Sequence, residues 1–256
     1  MTDLVAMLPL ATTDWATISS LATAGGTLVL ALATFASVRS ANRATRISEQ
    51  ALQEQRQPVF AASRFDDPVQ KIMFAEQHWV RAEGGRGVAE YSGDAVYLAI
   101  SLRNVGAGIG VCQGWFVTPG LLRTMAATTH SDESEFRTQT RDLWIPAGDI
   151  GMWQGALRDP ENPTFRGVAE AIEAREPISI ELLYSDQVGG QRTITRFALL
   201  PTGEDSWIAS SSRHWFLDRP SPRSEEDIQA TAEAYLRRIE AAEQEAQAVE
   251  KTGAAP

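Results

Sequence analysis

The sequence is poor in the residues that build disulfide frameworks and metal centres. Its 256 residues include a single cysteine, Cys112, so no disulfide can form within the chain. The three histidines, His78, His130 and His214, stand far apart and in none of the spacings of zinc motifs. P-loop, GxSxG and CxxC sequences do not occur. We therefore predict no metal, no cofactor and no catalytic residue, and we interpret Cys112, which lies in an apolar run, as a packing residue.

Acidic side chains outnumber basic ones. The chain has 23 Lys and Arg against 33 Asp and Glu, which gives a formal net charge of −10. An acidic body repels phosphate backbones, so we expect no nucleic-acid partner. Twelve prolines and nineteen glycines are spread along the chain, which argues against a mainly helical body.

Charge is absent from residues 15–38, WATISSLATAGGTLVLALATFASV. As an α-helix at about 1.5 Å per residue this stretch would extend about 36 Å, whereas the hydrocarbon core of a bilayer is about 30 Å thick. The stretch therefore predicts a transmembrane helix whose partner is the lipid bilayer. A cleaved signal peptide would need a positive N-terminal region, and a buried helix of a soluble protein is seldom uncharged over this length.

The flanking charges predict the orientation of that helix. Only the acids Asp3 and Asp14 precede it. Arginines follow it at four positions: Arg39, Arg43, Arg46 and Arg56. By the positive-inside rule the arginine side stays in the cytoplasm. We expect a single-pass protein of the bacterial inner (plasma) membrane, with residues 1–14 as a short extracytoplasmic N-terminus and the remainder cytoplasmic.

Three further parts are expected after the anchor. Residues 39–57 contain good helix formers and no Gly or Pro, which predicts a juxtamembrane helical stalk that could pair in a homo-oligomer. Residues 58–220 consist of short period-two runs broken by turn residues, which favours a mainly-β domain. The expected fold is an antiparallel β-sandwich, of which the immunoglobulin-like arrangement is one form. Residues 224–251 carry an apolar stripe at helical spacing and predict an acidic amphipathic C-terminal helix.

The expected strands can be placed from β-forming residues and turns. We predict them at residues 58–65, 71–82, 95–103, 109–117, 136–145, 178–186, 192–200 and 207–217. The segment 71–82 is also compatible with a helix. The glycine-containing loop 187–191 indicates a hairpin between its neighbours. Asn162 and Pro163 are typical of an N-cap followed by the first residue of a short helix.

The glycines at 106, 108 and 110 follow an apolar strand, as in a dinucleotide-binding turn. The third glycine of that fingerprint should be at 111, which is Val111, and a helix should follow. A β-like run follows instead. We interpret these glycines as a tight bend between two strands.

Two tryptophans flank the loop 146–151 and suggest a binding surface. Trp144 and Trp153 could line it, and Asp149 and Arg158 could add polar contacts. Against this, large aromatic side chains usually belong to the core of a sandwich, and loop charges are usually only solvated. Both interpretations stay open from the sequence.

Two segments of the chain resemble known sequences. LRNVGAGI at 102–109, with QGW at 113–115, and LWIPAGDIGMWQGALRD at 143–159 resemble recurring elements of uncharacterised bacterial single-pass membrane proteins. Those proteins share a membrane helix, an Arg- and Gln-rich helix ending in Gln-Pro-Val, and a cytoplasmic β-sandwich-like domain. The likeness covers most of the chain. It implies a location and a fold but no activity, because no catalytic residue comes with it.

From these observations we expect a membrane-anchored, non-catalytic interaction or sensing module of unknown ligand that faces the cytoplasm. One alternative is an enzyme whose acid–base site the sequence does not reveal. Another is a structural subunit that holds a membrane complex together.

Overall fold

A computed structural model describes residues 15–121, 128–203 and 206–219, together with positions 230, 233, 234 and 237. The chain divides into two compact units, Met1–Leu52 and Gln53–Pro256. The predicted extracytoplasmic residues 1–14 lie outside the described residues. So does the predicted helix 224–251, apart from four positions.

One long helix, α1 (Trp15–Glu54), spans the predicted anchor and most of the predicted stalk. It is the one helix in the described part of the chain that is long and apolar enough to cross a membrane. Its large apolar side chains are exposed; Leu30, for example, is 68% accessible. The hydroxyls of Thr23, Thr27 and Thr34 donate to carbonyl oxygens four residues earlier, at 2.7–2.9 Å. These polar groups are therefore satisfied within the helix, as an apolar medium requires.

The second unit is mainly β. Its strands are β1 (Phe60–Ala62), β2 (Gln70–Met73), β3 (Trp79–Ala82), β4 (Arg86–Tyr91), β5 (Val96–Asn104), β6 (Gly110–Pro119), β7 (Arg137–Thr138), β8 (Trp144–Ile145), β9 (Ile150–Leu157), β10 (Ile178–Ser185), β11 (Thr193–Thr202) and β12 (Ser206–Phe216). A helix, α2 (Pro163–Glu173), packs on β6 and β4.

Ten of these strands form one antiparallel sheet. Its main path runs β1-β5-β4-β12-β11-β10-β6-β7, while β9 pairs with β5 and β8 pairs with β6. A Cβ on Gly151 of β9 would lie 2.7 Å from the side chain of Ile145 in β8. The sheet therefore curls until its two ends approach each other, and the main core lies inside the curl.

Strand β5 is covered on both faces. Leu98, Ile100 and Leu102 belong to the main core. Tyr97 and Ala99 point to the other face and join a second cluster, which the separate β2–β3 hairpin covers. Burying one leucine side chain of this kind stabilises a fold by roughly 2 kcal/mol.

Several local predictions are confirmed. Strands β10 and β11 form the expected hairpin, with Ile178 opposite Leu199. Helix α2 begins after Asn162, whose side-chain oxygen accepts from the backbone N–H of Thr164 at 2.9 Å, and Pro163 is its first residue.

Other segments differ from the prediction. Residues 71–82 form two strands rather than one, because the chain turns at Gln77, whose φ is +59°. The single strand expected at 136–145 is wrong. A 3-10 turn (Glu133–Glu135) precedes the short strands β7 and β8, which pair with different parts of β6.

Candidate functional site

The two tryptophans of the predicted binding surface lie in different surroundings. Trp144 in β8 is 55% exposed. Trp153 in β9 is fully buried, and its ring lies 5.5 Å from that of Trp115 in an edge-to-face arrangement. Trp153 is therefore a core residue, as the competing interpretation expects, and cannot line a surface.

The two charged residues of that predicted surface have local partners. The Asp149 carboxylate accepts from the backbone N–H of Ile150 at 2.8 Å. The Arg158 guanidinium forms an ion pair with Glu76, and each of the two side chains is more than a third exposed. That ion pair lowers the pKa of Glu76 through the hydrogen bond from Arg158. A binding surface made of Trp144, Asp149 and Arg158 stays a prediction.

The structure gathers a different set of residues around the chain that follows α1. We call residues 56–59 the linker segment and residues 105–109 the glycine loop. The carbonyl oxygen of Gln57 accepts from the N–H groups of Ala107 and Gly108, at 3.0 and 3.3 Å. The carbonyl oxygen of Val59 accepts from the N–H of Val105 at 2.8 Å. The glycine loop thus pairs with the linker segment along its backbone.

The glycines in this loop are required by that close approach. A Cβ on Gly106 would overlap the carbonyl oxygen of Gln57, and one on Gly108 would overlap that of Arg56. Only glycine lets the two backbones come so near. The G-x-G pattern that resembles a nucleotide-binding turn therefore has a different explanation here, which is contact with the linker segment.

Asn104, the last residue of β5, is completely buried beneath the glycine loop. Its Oδ1 accepts from the backbone N–H groups of Val59 and Gly106, at 3.2 and 3.0 Å. Its Nδ2 donates to the carbonyl oxygens of Gly108 and Ile145, at 2.7 and 2.9 Å. A carboxamide has two donor hydrogens and two acceptor lone pairs, so this side chain is saturated.

The turn between β8 and β9 joins the same cluster. The backbone of Asn104 accepts from the N–H of Gly148 at 2.9 Å and donates to Asp149 at 3.0 Å. The neighbouring Arg103 donates to the carbonyl oxygen of Gly148 at 3.0 Å and forms an ion pair with Asp67. The hydrogen bond from Arg103 holds the pKa of the Asp67 carboxyl below its usual range.

The β10–β11 hairpin contributes a further contact. The side chain of Gln57 is buried, and its Nε2 donates to Thr193 Oγ1 at 2.8 Å and to the carbonyl oxygen of Gln191 at 3.4 Å. In β10, the strand next to β11, the Tyr184 hydroxyl accepts from the N–H of Phe60 at 3.0 Å. Burial raises the pKa of this phenol, so it stays neutral.

We call this set of contacts the linker junction. It consists of the linker segment, the glycine loop, Asn104, the turn 146–149 and the hairpin loop 186–192. The Asn104 side chain and the backbone groups described above are used in hydrogen bonds inside the domain, whereas the Oε1 atoms of Gln57 and Gln191 are buried without a partner among the described residues. The junction is therefore suited to fixing the position of the linker segment rather than to acid–base work.

One contact nearby has the residue types of a nucleophile and a base. Thr195 Oγ1 lies 2.7 Å from His214 Nδ1, but Thr195 is fully buried and also hydrogen-bonds the Tyr184 hydroxyl. A substrate cannot reach that oxygen, so we assign this contact to packing. Within the described residues, no group of three or more His, Cys, Asp or Glu side chains could hold a metal ion.

A buried ion pair lies on another part of the sheet. Glu181 in β10 and Arg196 in β11 stand opposite each other, and both are at least 95% buried. Glu181 also accepts from the N–H of Ser131 at 2.9 Å, and Arg196 donates to the carbonyl oxygen of Thr129 at 2.6 Å. The pair thus fastens residues 128–131 over the sheet.

Sequence reasoning did not predict the linker junction. A signal for it was nevertheless present, because the segments that carry the resemblance, Gln57-Pro58-Val59, LRNVGAGI and IPAGD, are the ones that meet there. No protein-family model matches the chain, and no curated protein matches it.

Proposed function

We propose that this chain is a membrane-anchored, non-catalytic interaction or sensing module. The supporting observation is the linker junction, in which the segment directly after α1 is hydrogen-bonded into the β domain through Asn104 and Gln57. A linker held in this way follows the domain, because it has no freedom to act as a flexible tether. A change that partner binding causes in the domain would then also affect the residues that follow the anchor.

We place the anchor, residues 15–38, in the inner (plasma) membrane, with the N-terminus outside and the β domain in the cytoplasm. The exposed apolar side chains of α1 support a lipid environment, since such a surface is costly in water. The arginines that follow the span support the orientation.

We further propose that the curled sheet is a β-sandwich of immunoglobulin-like type. Trp115 lies in β6, near one end of the sheet, and Trp153 lies in β9, which pairs with β5 near the other end. The contact between their rings supports two layers packed face to face. The apolar stripe in residues 224–251 supports a C-terminal helix, and the pair Glu233–Arg237 has the i,i+4 spacing of such a helix.

The proposed interaction role can be tested by capturing partners from detergent extracts of the native host. The full chain is compared with a variant that lacks residues 58–256 and keeps the anchor. We expect at least one membrane or cytoplasmic partner to be captured by the full chain alone. If deletion of the domain changes nothing in the captured set, the proposal is wrong.

A further inference from the structure

A cleft of about 460 Å³ opens in the β domain away from the linker junction. It lies between the β2–β3 turn, the segment 137–141 and β9. Its volume falls within the range of small-molecule sites, which is about 300–1,000 Å³.

The charge of this cleft is opposite to that of the chain. Three arginines line it, Arg137, Arg141 and Arg158, and no Asp or Glu does, although the whole chain has a net charge of −10. Arg158 is paired with Glu76 at the rim. Within the part of the chain that the structure describes, Arg137 and Arg141 form no ion pair. Two uncompensated guanidinium groups in one concave site favour an anion.

The cleft also has an apolar part and an unsatisfied acceptor. The exposed Met73 and the partly exposed Ala156 contribute apolar surface. The mostly buried Trp115 also lines the cleft, and the guanidinium of Arg137 lies 5.7 Å from its ring centre. The Oε1 atom of Gln154 is buried and has no hydrogen-bond partner among the described residues. A buried carbonyl oxygen of this kind costs free energy until a donor reaches it.

The geometry points to a binding site for a small organic anion that carries a carboxylate or phosphate, an apolar ring and one N–H or O–H donor. The acidic group pairs with Arg137 and Arg141, and the ring covers Met73 and Ala156. The donor bonds the Gln154 carboxamide once that side chain turns its buried oxygen toward the cleft. This inference rests on the proposed sensing role, for which it names the class of ligand.

Indole-3-acetate is a suitable probe, because it has a carboxylate, a ring and an N–H. Two related probes each lack one of these features, since 1-naphthylacetate has no N–H and 3-methylindole has no carboxylate. A third probe, acetate, keeps only the carboxylate. Binding is measured by calorimetry on the full chain in lipid nanodiscs. We expect saturable binding of indole-3-acetate at up to millimolar concentration, and at least tenfold weaker binding of acetate and of 3-methylindole.

Three variants connect this binding to the cleft. Arg137→Gln and Arg141→Gln should each weaken indole-3-acetate about tenfold, as expected for a lost charged hydrogen bond. Gln154→Met should reduce binding of indole-3-acetate to that of 1-naphthylacetate and leave the latter unchanged. The control is Arg166→Gln on α2, which makes the same change of charge outside the cleft and should have no effect.

The inference is overturned if indole-3-acetate shows no saturable binding, or if Arg166→Gln weakens it as much as the cleft variants do. Thermal unfolding of each variant identifies loss of fold. The partner-capture experiment does not use this ligand, so a chain that captures its partner but binds no anion contradicts this inference alone.

Discussion

The Nδ2 atom of Asn104 donates a 2.9 Å hydrogen bond to the carbonyl oxygen of Ile145, 41 residues further along the chain. The other end of the same carboxamide accepts from the N–H of Val59, 45 residues earlier. One buried side chain thus connects the linker segment, the end of β5 and β8.

Replacing Asn104 with aspartate should destabilise the domain by about 3 kcal/mol. The change removes the donors to Gly108 and Ile145 and places carboxylate oxygens against their carbonyl oxygens. The free energy of unfolding is measured by urea titration. Asn162→Asp is the matched control, because aspartate is as good an N-cap as asparagine and the stability should hardly change. Equal losses for both variants would contradict the role given to Asn104.

Replacing Gly108 with alanine should separate the glycine loop from the linker segment, because the new Cβ overlaps the carbonyl oxygen of Arg56. We expect faster proteolysis within residues 53–60 and a loss of roughly 2 kcal/mol in stability. Gly190→Ala is the control, since its Cβ would meet only the Asp186 carboxylate at an ordinary 3.7 Å. Unchanged proteolysis of the Gly108 variant would show that the loop does not hold the linker.

Removing one partner of the buried Glu181–Arg196 ion pair should lower the free energy of unfolding more than breaking an exposed ion pair does. Glu181→Gln leaves Arg196 buried without its counter-charge, and we expect a loss of about 3–5 kcal/mol. Glu83→Gln, which breaks the exposed pair with Arg86, should cost less than about 1 kcal/mol. Both are compared by urea titration at two salt concentrations, and only the exposed pair should respond to salt.

The Asp67 carboxyl should make stability depend on acid pH. Its pKa in the folded protein lies below the ordinary value of 3.8, mainly because Arg103 donates to it. The stabilisation is therefore complete above pH 3.8 and is lost as the pH falls through the lower folded value. Asp67→Asn should be less stable at neutral pH and should respond less to acid in this window. Asp66→Asn is the neighbouring control, and an identical profile for both variants would rule out the Arg103 contact as the cause.

The single cysteine permits a direct test of membrane orientation. Cys112 is buried, and burial raises the pKa of its thiol to about 12, so it should not react with maleimides in the folded chain. Cysteines are introduced one at a time at Thr13 and at the exposed Ser210. With a membrane-impermeant maleimide on intact cells, we expect labelling at position 13 and none at position 210. The reverse pattern would invert the proposed topology.

The features that could be predicted from the sequence depend on neighbouring residues. The Asn162-Pro163 cap and the β10–β11 hairpin are examples, because their signals lie within a few positions of each other. Strand β9 was not predicted, since Gly151 and Gly155 interrupt its β-forming pattern. A Cβ on Gly155 would lie 2.6 Å from the ring of Trp153, two residues earlier, and 3.0 Å from the ring of Trp115 in β6. The second contact is non-local, because it joins residues 40 positions apart.

Residue spacing alone does not predict the linker junction or the cleft, because both depend on contacts between distant segments. Asn104 bonds Ile145, 41 residues away, and Gln57 bonds Thr193, 136 residues away. Arg137, Arg141 and Arg158 are brought together only because β7 and β9 end near each other in the curled sheet. Spacing along the chain contains no information about such approaches.

Strand β5 has an apolar cluster on each face and paired strands on each edge. Its amide hydrogens can therefore meet solvent only when the β domain opens as a whole. In deuterium oxide, residues 97–102 should be among the last to exchange, at a rate that reports the global unfolding free energy. Since the glycine loop begins where this strand ends, the linker segment is fastened to the slowest-opening part of the molecule.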